Sequence, residues 1–204
     1  IIETLHDARA RFLRDGGVII PGRVTQFVAP VTTPRFDNEL RVWERAGPAL
    51  GLGLDLGIAQ SMSFNNAYVR AFTTADLLDG GAAAVAWDKV ELGTDKRGSR
   101  KGEASWKLGR PATVYGFAVW WVADLVPSVS LSTAPDAPRT HWEQLYFPLM
   151  TPIVLASGET LMASLRSQSS EQTGTHLAWT AVHFDRAGKS LSKQAHDLDK
   201  GYIP

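Results

Sequence analysis

The 204-residue sequence contains no cysteine, and that one absence removes disulfides, thiolate metal sites and cysteine nucleophiles together. A chain without thiols suits a reducing interior, and the expected compartment is cytoplasmic. An excess charge of one sign is also missing: 21 Lys+Arg offset 21 Asp+Glu, so no global field draws the chain toward nucleic acid or an anionic membrane. Charged partners have to be recognised locally, and neither nucleic acid nor membrane is an expected partner. Long apolar runs are lacking as well. The longest, Ala112 to Ala123, is interrupted by Thr113, Tyr115 and Gly116 and falls far short of the ~20 residues of a spanning helix. The opening IIETLHDARARFLRDGG has no basic start, long apolar middle or small-residue cleavage site, so it does not read as a secretory signal. It starts on Ile1, without an initiator Met, in the approach to a helix, and the expectation is a piece of a longer protein. The remainder, 44% hydrophobic and 21% charged, is ordinary globular composition with enough chain for one substantial core.

Leu5, Ala8, Phe12 and Leu13 follow helical spacing. Thr4 or a neighbour serves as cap, Arg9, Arg11 and Arg14 lie toward the C-terminal end, and Gly16-Gly17 is the stop. Val18-Ile19-Ile20 then reads as a short strand closed by Pro21, an order typical of the end of an α/β sheet. The domain boundary is expected near Pro21. Arg23 to Val31 alternates as a strand, and FDNELRVWERAG puts Phe36, Leu40 and Trp43 on one helical face. Pro48 and the Gly-Leu alternation from Ala49 to Ile58 break regular structure and leave apolar residues that need a partner surface. Strands are then predicted at 84–92, 103–108, 113–126, 142–147, 153–156, 160–166, 175–185 and 189–194. Gly, Ser and Asp mark the turns at 96–102, 157–158, 167–174 and 185–188. The fold class that follows is mainly β: an antiparallel barrel-like sandwich with an N-terminal helix and an inserted, partly helical arm.

Several candidate sites resolve into structure on inspection. GLGLDLG, Gly51 to Gly57, superficially suggests a dinucleotide or adenosylmethionine loop, but it follows a proline-broken helical segment and lacks the G-x-G-x-x-G spacing. The basic cluster Lys96, Arg97, Arg100, Lys101, Lys107 and Arg110 reads as a solvated hairpin turn with no interleaved aromatic platform besides Trp106. Histidines 6, 141, 176, 183 and 196 form no metal-binding pattern, and the odd separation of His176 and His183 sends them to opposite faces of one strand. No metal is expected. No G-x-S-x-G elbow accompanies them. Trp120 and Trp121 likewise point to opposite faces, one into the barrel core and one against a second layer.

Residues 132–149, STAPDAPRTHWEQLYFPL, form a proline-punctuated loop that delivers Thr140, His141 and Trp142 into an apolar, strand-like run. On spacing alone this is a β-connection whose prolines set φ and whose Trp142 anchors the next strand in the core. The ordered combination Ser-x-x-Pro-x-x-Pro-x-Thr-His-Trp resembles the Thr-His-Trp loop of the protein arginine methyltransferase family, as a bacterial-like member. LRDGGVIIP is similar to the last helix and strand of the nucleotide-binding half of class I methyltransferases. The resemblance implies a division at about residue 21: 1–21 close the catalytic, Rossmann-like domain, and 22–204 form a β-barrel with an arm at about 36–64. It implies that His141 helps organise acidic residues around a substrate guanidinium, that Trp142 packs the loop against the pocket and that Thr140 supports it. Those three are the candidate substrate-binding residues, and His141 and Glu3 the candidate catalytic ones.

In the family the guanidinium is held between two carboxylates on a hairpin just before this helix. A planar cation with five donors suits such a clamp. Glu3 could hold its tail, although an acidic residue near a helix N-terminus is accounted for by the dipole alone. The resemblance further implies S-adenosylmethionine in the full-length enzyme, with none bound by this chain alone, which is expected to be inactive. The implied acceptor is a protein or small molecule bearing a guanidinium. The arm implies a homodimer, with an intramolecular flap as the other reading. A free-standing, non-catalytic β-sandwich binding module is the alternative from a different class.

Overall fold

The computed structural model describes residues 2–51, 53–170 and 172–200. Helix α1 spans Ile2–Phe12, and β1, Arg23–Val31, opens the first sheet. Three helices follow: α2 (Arg35–Leu40), α3 (Val42–Leu50) and α4 (Gly57–Phe64). The remaining strands are β2 (Tyr68–Arg70), β3 (Val85–Glu91), β4 (Ser99–Lys107), β5 (Ala112–Val126) and β6 (Val129–Ser132), then β7 (Gln144–Leu155), β8 (Thr160–Ser170), β9 (Gly174–Phe184) and β10 (Ser190–Asp197). One sheet has the order β2-β7-β5-β1-β3 with β6 also on β5, and the other the order β10-β9-β8-β4. Every pairing within these sheets is antiparallel. The expected class, a mainly β, barrel-like antiparallel sandwich with an N-terminal helix and a partly helical insertion, is what the chain forms.

Period-two alternation on β5 builds two cores at once. Phe117 and Val119 face the other sheet and join Val28, Trp106, Leu161 and Trp179 between the layers. Ala118 and Trp120 face the opposite way, into a second cluster with Phe36, Leu40, Phe64 and Tyr146 from the insertion and β7. Trp120 is thus the tryptophan of the second layer, and the partly buried Trp121 lies on the face shared with Phe117 and Val119.

The sheets join at two seams where the ladder does not continue. At β3 and β4 they approach so closely that a Cβ on Gly102 would lie 1.8 Å from the Trp87 carbonyl oxygen, so only glycine fits. On the other side, the Gln194 amide pairs with both backbone groups of Thr151, accepting at 3.0 Å and donating at 2.7 Å. The Asn65 amide pairs with Asp197 in the same two-way manner, at 2.9 and 3.1 Å. Each side chain stands in for a strand residue, satisfying backbone groups the missing ladder would leave open, part-buried ones at Asp197 and exposed ones at Thr151.

Several expectations are corrected. Val18-Ile19-Ile20 is not a strand: these residues have no ladder partner among the described residues, and Val18 and Ile20 are 75% and 59% exposed. A strand needs a hydrogen-bonded neighbour, and apolar composition alone supplies none. Helix α1 contains Thr4 rather than being capped by it and ends at Phe12, ahead of the glycines. Pro48 does not break α3 but sits in its last turn, before the left-handed Gly51 at φ 62°. Trp43 is partly exposed, while Phe36 and Leu40 are buried. Two predicted strands, 142–147 and 153–156, are one, β7, which carries Pro148 and Pro152 where its register against β5 shifts. The turns predicted at 96–102 and 167–174 are shorter, because β4 starts at Ser99 and β8 runs to Ser170.

His196 stacks on Trp179, rings 4.9 Å apart and 7° from parallel. Burial lowers its pKa from 6.5 to about 4, opposed by a bond to the Phe64 backbone. The unfolded chain takes up a proton near 6.5 that the fold accepts only near 4. The contribution is therefore intact above pH 6.5 and lost as pH falls toward 4. Denaturant unfolding should show stability dropping by on the order of 2–3 kcal/mol across that window. His196→Phe, which keeps the stack, should flatten that part of the profile relative to the parent; an unchanged slope would contradict this assignment.

Candidate functional site

Strands β6 and β7 share one edge of β5: β6 pairs with residues 122–126 and β7 with 112–119. The chain between them, 133–143, must leave and rejoin the sheet opposite Trp120 and Trp121. Thr133 fixes its first step. Its buried hydroxyl accepts from the Trp121 N–H at 3.1 Å and donates to the Trp121 carbonyl at 3.1 Å, while its own N–H donates to the same carbonyl at 3.0 Å. Gln144 fixes the last step, donating to the Thr133 carbonyl at 2.7 Å and accepting from the Phe72 N–H at 2.8 Å. Between these anchors, Glu143 takes a left-handed backbone at φ 52° and receives Arg139 at 2.7 Å.

This frame brings Thr140, His141 and Trp142 together. The Trp142 ring meets His141 at 4.2 Å and a 34° tilt, and Trp121 edge-on at 5.6 Å and 64°. Trp142 is 49% exposed, so it is not the core anchor of the next strand that spacing alone implies; it precedes β7 and forms a flat wall at the sheet's rim. His141 is exposed beside it, offering one donor and one acceptor nitrogen when neutral. The Thr140 hydroxyl is buried without a hydrogen-bond partner, in the wall of a cavity of about 410 Å³ shared with Arg35, Phe72 and Gln144. Arg35 is held by Asp76, which also accepts from the Thr73 N–H at 2.7 Å. An aromatic wall with an adjacent imidazole suits a planar cation or its carboxylate partners.

Glu3 lies elsewhere. It is in the first turn of α1, with Oε1 about 4.0 Å from where a Cβ on Gly98 would stand, at the start of β4 in the second sheet. The loop belongs to the first sheet. Thr133, Gln144, Arg35 and Asp76 were not singled out from sequence, since nothing in their local pattern shows that they close on residues 12 to 72 positions away.

The other candidates remain structural. GLGLDLG follows α3 rather than a strand, with Gly51 and Gly53 at φ 62°, so these residues do not fit the phosphate- and ribose-binding arrangement of an adenosylmethionine site. Leu52 lies outside the described residues. The basic cluster is not uniformly solvated: Arg100 is 9% exposed, bonded to Asp88 at 2.7 and 2.9 Å and to Asp95 at 3.2 Å. His183 is buried against Glu159 at 2.8 Å, while His176 pairs with Asp199 on the exposed side. No group of three His, Asp or Glu side chains suited to a metal occurs among the described residues.

The family described as the arginine methyltransferase oligomerization subdomain matches residues 23–187, most of the chain. The chain belongs to this family. Its similarity to protein arginine N-methyltransferase 6 of Xenopus laevis is 22% identity over 194 residues, covering 93% of this chain and 57% of the relative. A shorter segment of 52 residues is 42% identical to the arginine N(omega)-methyltransferase of Streptomyces achromogenes subsp. streptozoticus, covering 26% of this chain and 14% of that protein. In fold it resembles the Trypanosoma brucei PRMT1 enzyme-prozyme heterotetrameric complex with AdoHcy, with TM-score 0.76, 17% identity, and coverage of 97% of this chain and 62% of that one. The chain thus spans about half the length of the curated relatives it matches, and it is the barrel subdomain of the arginine methyltransferase family.

The Thr133 frame yields a direct expectation. Thr133→Val should leave the part-buried Trp121 N–H unpaired, its carbonyl keeping the Thr133 N–H, and cost about 1–3 kcal/mol in chemical denaturation, whereas Thr133→Ser should stay within about 1 kcal/mol of the parent. Equal stability of the Val variant would remove Thr133 as the anchor.

Proposed function

We propose that this chain is the substrate-side barrel of an arginine methyltransferase, and that its Thr140-His141-Trp142 loop forms one wall of the acceptor site. The observation that carries this reading is the half-exposed Trp142 with His141 on its face, presented at a sheet rim by anchors at both loop ends. His141 orients acidic residues around the guanidinium, Trp142 packs the loop against the pocket and Thr140 supports it; Glu3, near Gly98 rather than at the loop, holds the tail of the carboxylate clamp at most. Residues 1–21 close the catalytic domain and 22–204 form the barrel, a division supported by the family match starting at Arg23. S-adenosylmethionine is then bound by the catalytic domain, and residues 1–204 alone are inactive. The acceptor is a protein or small molecule bearing a guanidinium; the name of the Streptomyces relative keeps the small molecule in view.

The arm at about 36–64 supports a homodimer. Val42, Trp43, Leu50, Leu54, Ile58 and Met62 on it are exposed, an apolar surface of the kind that marks interfaces, and the family's description names oligomerization. Cytoplasmic residence fits the absence of cysteine. No helix among the described residues is long and apolar enough to cross a membrane, and the balanced charge supports neither nucleic acid nor anionic lipid as partner.

Joined to its catalytic half, the protein should methylate arginine, and His141→Ala should lower kcat/KM by about tenfold or more. Isothermal titration of residues 1–204 alone should detect no adenosylmethionine binding; tight binding would refute the assigned division. Sedimentation should show concentration-dependent self-association that is lost on deleting 49–64. A strict monomer at high concentration, unaffected by the deletion, would exclude the arm as an interface.

A further inference from the structure

Helix α1 is poorly anchored by burial. Ile2 is its one buried residue, while Phe12 is 74% exposed and the following Leu13 is 40% exposed. Arg9 adds a polar hold that converges on one turn. The Arg9 guanidinium donates to the Leu92 carbonyl through one nitrogen and to the Asp95 carbonyl at 3.0 Å through the other. The Leu92 N–H in turn donates to the Gly22 carbonyl at 2.9 Å, and the Gly22 N–H donates to Asp124 at 2.8 Å. Residue 9, in the last turn of α1, and residue 22, just before β1, are therefore fastened to the same residue. Between them the exposed Val18 and Ile20 supply no packing to fix the helix.

The turn that receives Arg9 is stiff. The Asp95 carboxylate accepts from the Glu91 N–H at 3.0 Å and from Arg100 at 3.2 Å, and Arg100 is locked onto Asp88. A rigid fork of donors reaching two carbonyls is a task for Arg, since a Lys ammonium cannot span both with the same geometry.

We infer that Arg9 is a positioning residue, clamping α1 to the β3–β4 turn so that whatever α1 carries is held in register with the Thr140-His141-Trp142 loop. This rests on the functional reading above, in which α1 belongs to the catalytic half and the turn to the barrel. Leu92 is then the point where the two halves are registered, and Arg9 acts on the reaction without touching substrate. A misplacement of about 1 Å far from the chemistry can cost on the order of 100-fold in rate.

Two measurements test it. In residues 1–204, Arg9→Ala should speed amide exchange in α1 by about tenfold or more and leave β8 and β9 unchanged. In the protein with its catalytic half, Arg9→Ala should lower kcat by about tenfold with the KM for adenosylmethionine within about twofold, and Arg9→Lys should recover part of the loss. Arg11→Ala, which removes an exposed pair with Asp7 and a contact over the exposed Phe12 ring, both within this segment, should match wild type in both. Unchanged α1 exchange, unchanged kcat in an enzyme whose wild type methylates arginine, or a loss accompanied by faster exchange across both sheets would each overturn the positioning role. A wild type that does not methylate arginine would overturn the functional reading instead, and the role with it.

Discussion

Burial of both faces of β5 is the constraint on which the rest of the structure depends. One face closes the core between the sheets through Phe117 and Val119, and the other seats the helical insertion through Ala118 and Trp120. Its edges are also both used, by β1 on one side and by β6 and β7 in succession on the other. A one-residue slip of β5 would exchange the two faces, placing Trp120 where Phe117 and Val119 now pack. Register is therefore specified from two sides, and the gap between β6 and β7 is fixed with it. The loop occupies that gap, so the placement of His141 and Trp142 follows from how β5 is packed.

At three places where the ladder does not continue, a polar side chain completes it. Thr133 binds both backbone groups of Trp121, Gln194 both of Thr151 and Asn65 both of Asp197. At Trp121 and Asp197 the bonds are part-buried, and losing one leaves a donor or acceptor open at a cost of up to about 1–3 kcal/mol, whereas the exposed Thr151 groups have water as an alternative partner. The distribution matters for function. Thr133 and Gln144 restrain the loop at its ends only, leaving residues 139–142 to project from a rigid base, which is how binding residues are commonly mounted on a scaffold.

The strand-rich part of this architecture is legible in sequence because alternation and turn residues are local signals: 113–126, 160–166 and 175–185 each fall inside an observed strand or overrun it by one residue. The Thr-His-Trp triplet is legible for a different reason, as an ordered motif. What escaped depends on distant partners. Val18-Ile19-Ile20 has strand composition but no neighbour to pair with among the described residues, and composition does not reveal that. Arg100 sits in a Gly- and Ser-containing basic stretch that reads as solvated, yet Asp88 on the facing strand makes it one of the most buried charges in the chain. Pro48 reads as a breaker because local rules do not say that the helix was about to end there. The half-exposure of Trp142 is likewise set by the two anchors, not by its own neighbours.

The two sheets divide the work unequally. Among the described strand residues, the exposed large apolar side chains Val69, Val126, Val129 and Val154 all lie on the first sheet, and Leu191 alone on the second. The insertion with its exposed Trp43, Leu50, Leu54 and Ile58 also packs on the first sheet, as does the loop bearing Trp142. Apolar surface left in water forfeits about 25 cal/mol per Å² that burial would return. The second sheet carries small and polar residues outward, such as Ser164, Ala178, Thr180 and Ala195, and contributes Leu161, Leu165 and Trp179 inward. It acts as the lid of the core. The first sheet, buried on one face by that lid and partly on the other by its own insertion, carries most of the outward large apolar side chains of the described strands, and the arm and the loop both project from it without either disturbing the core that positions them.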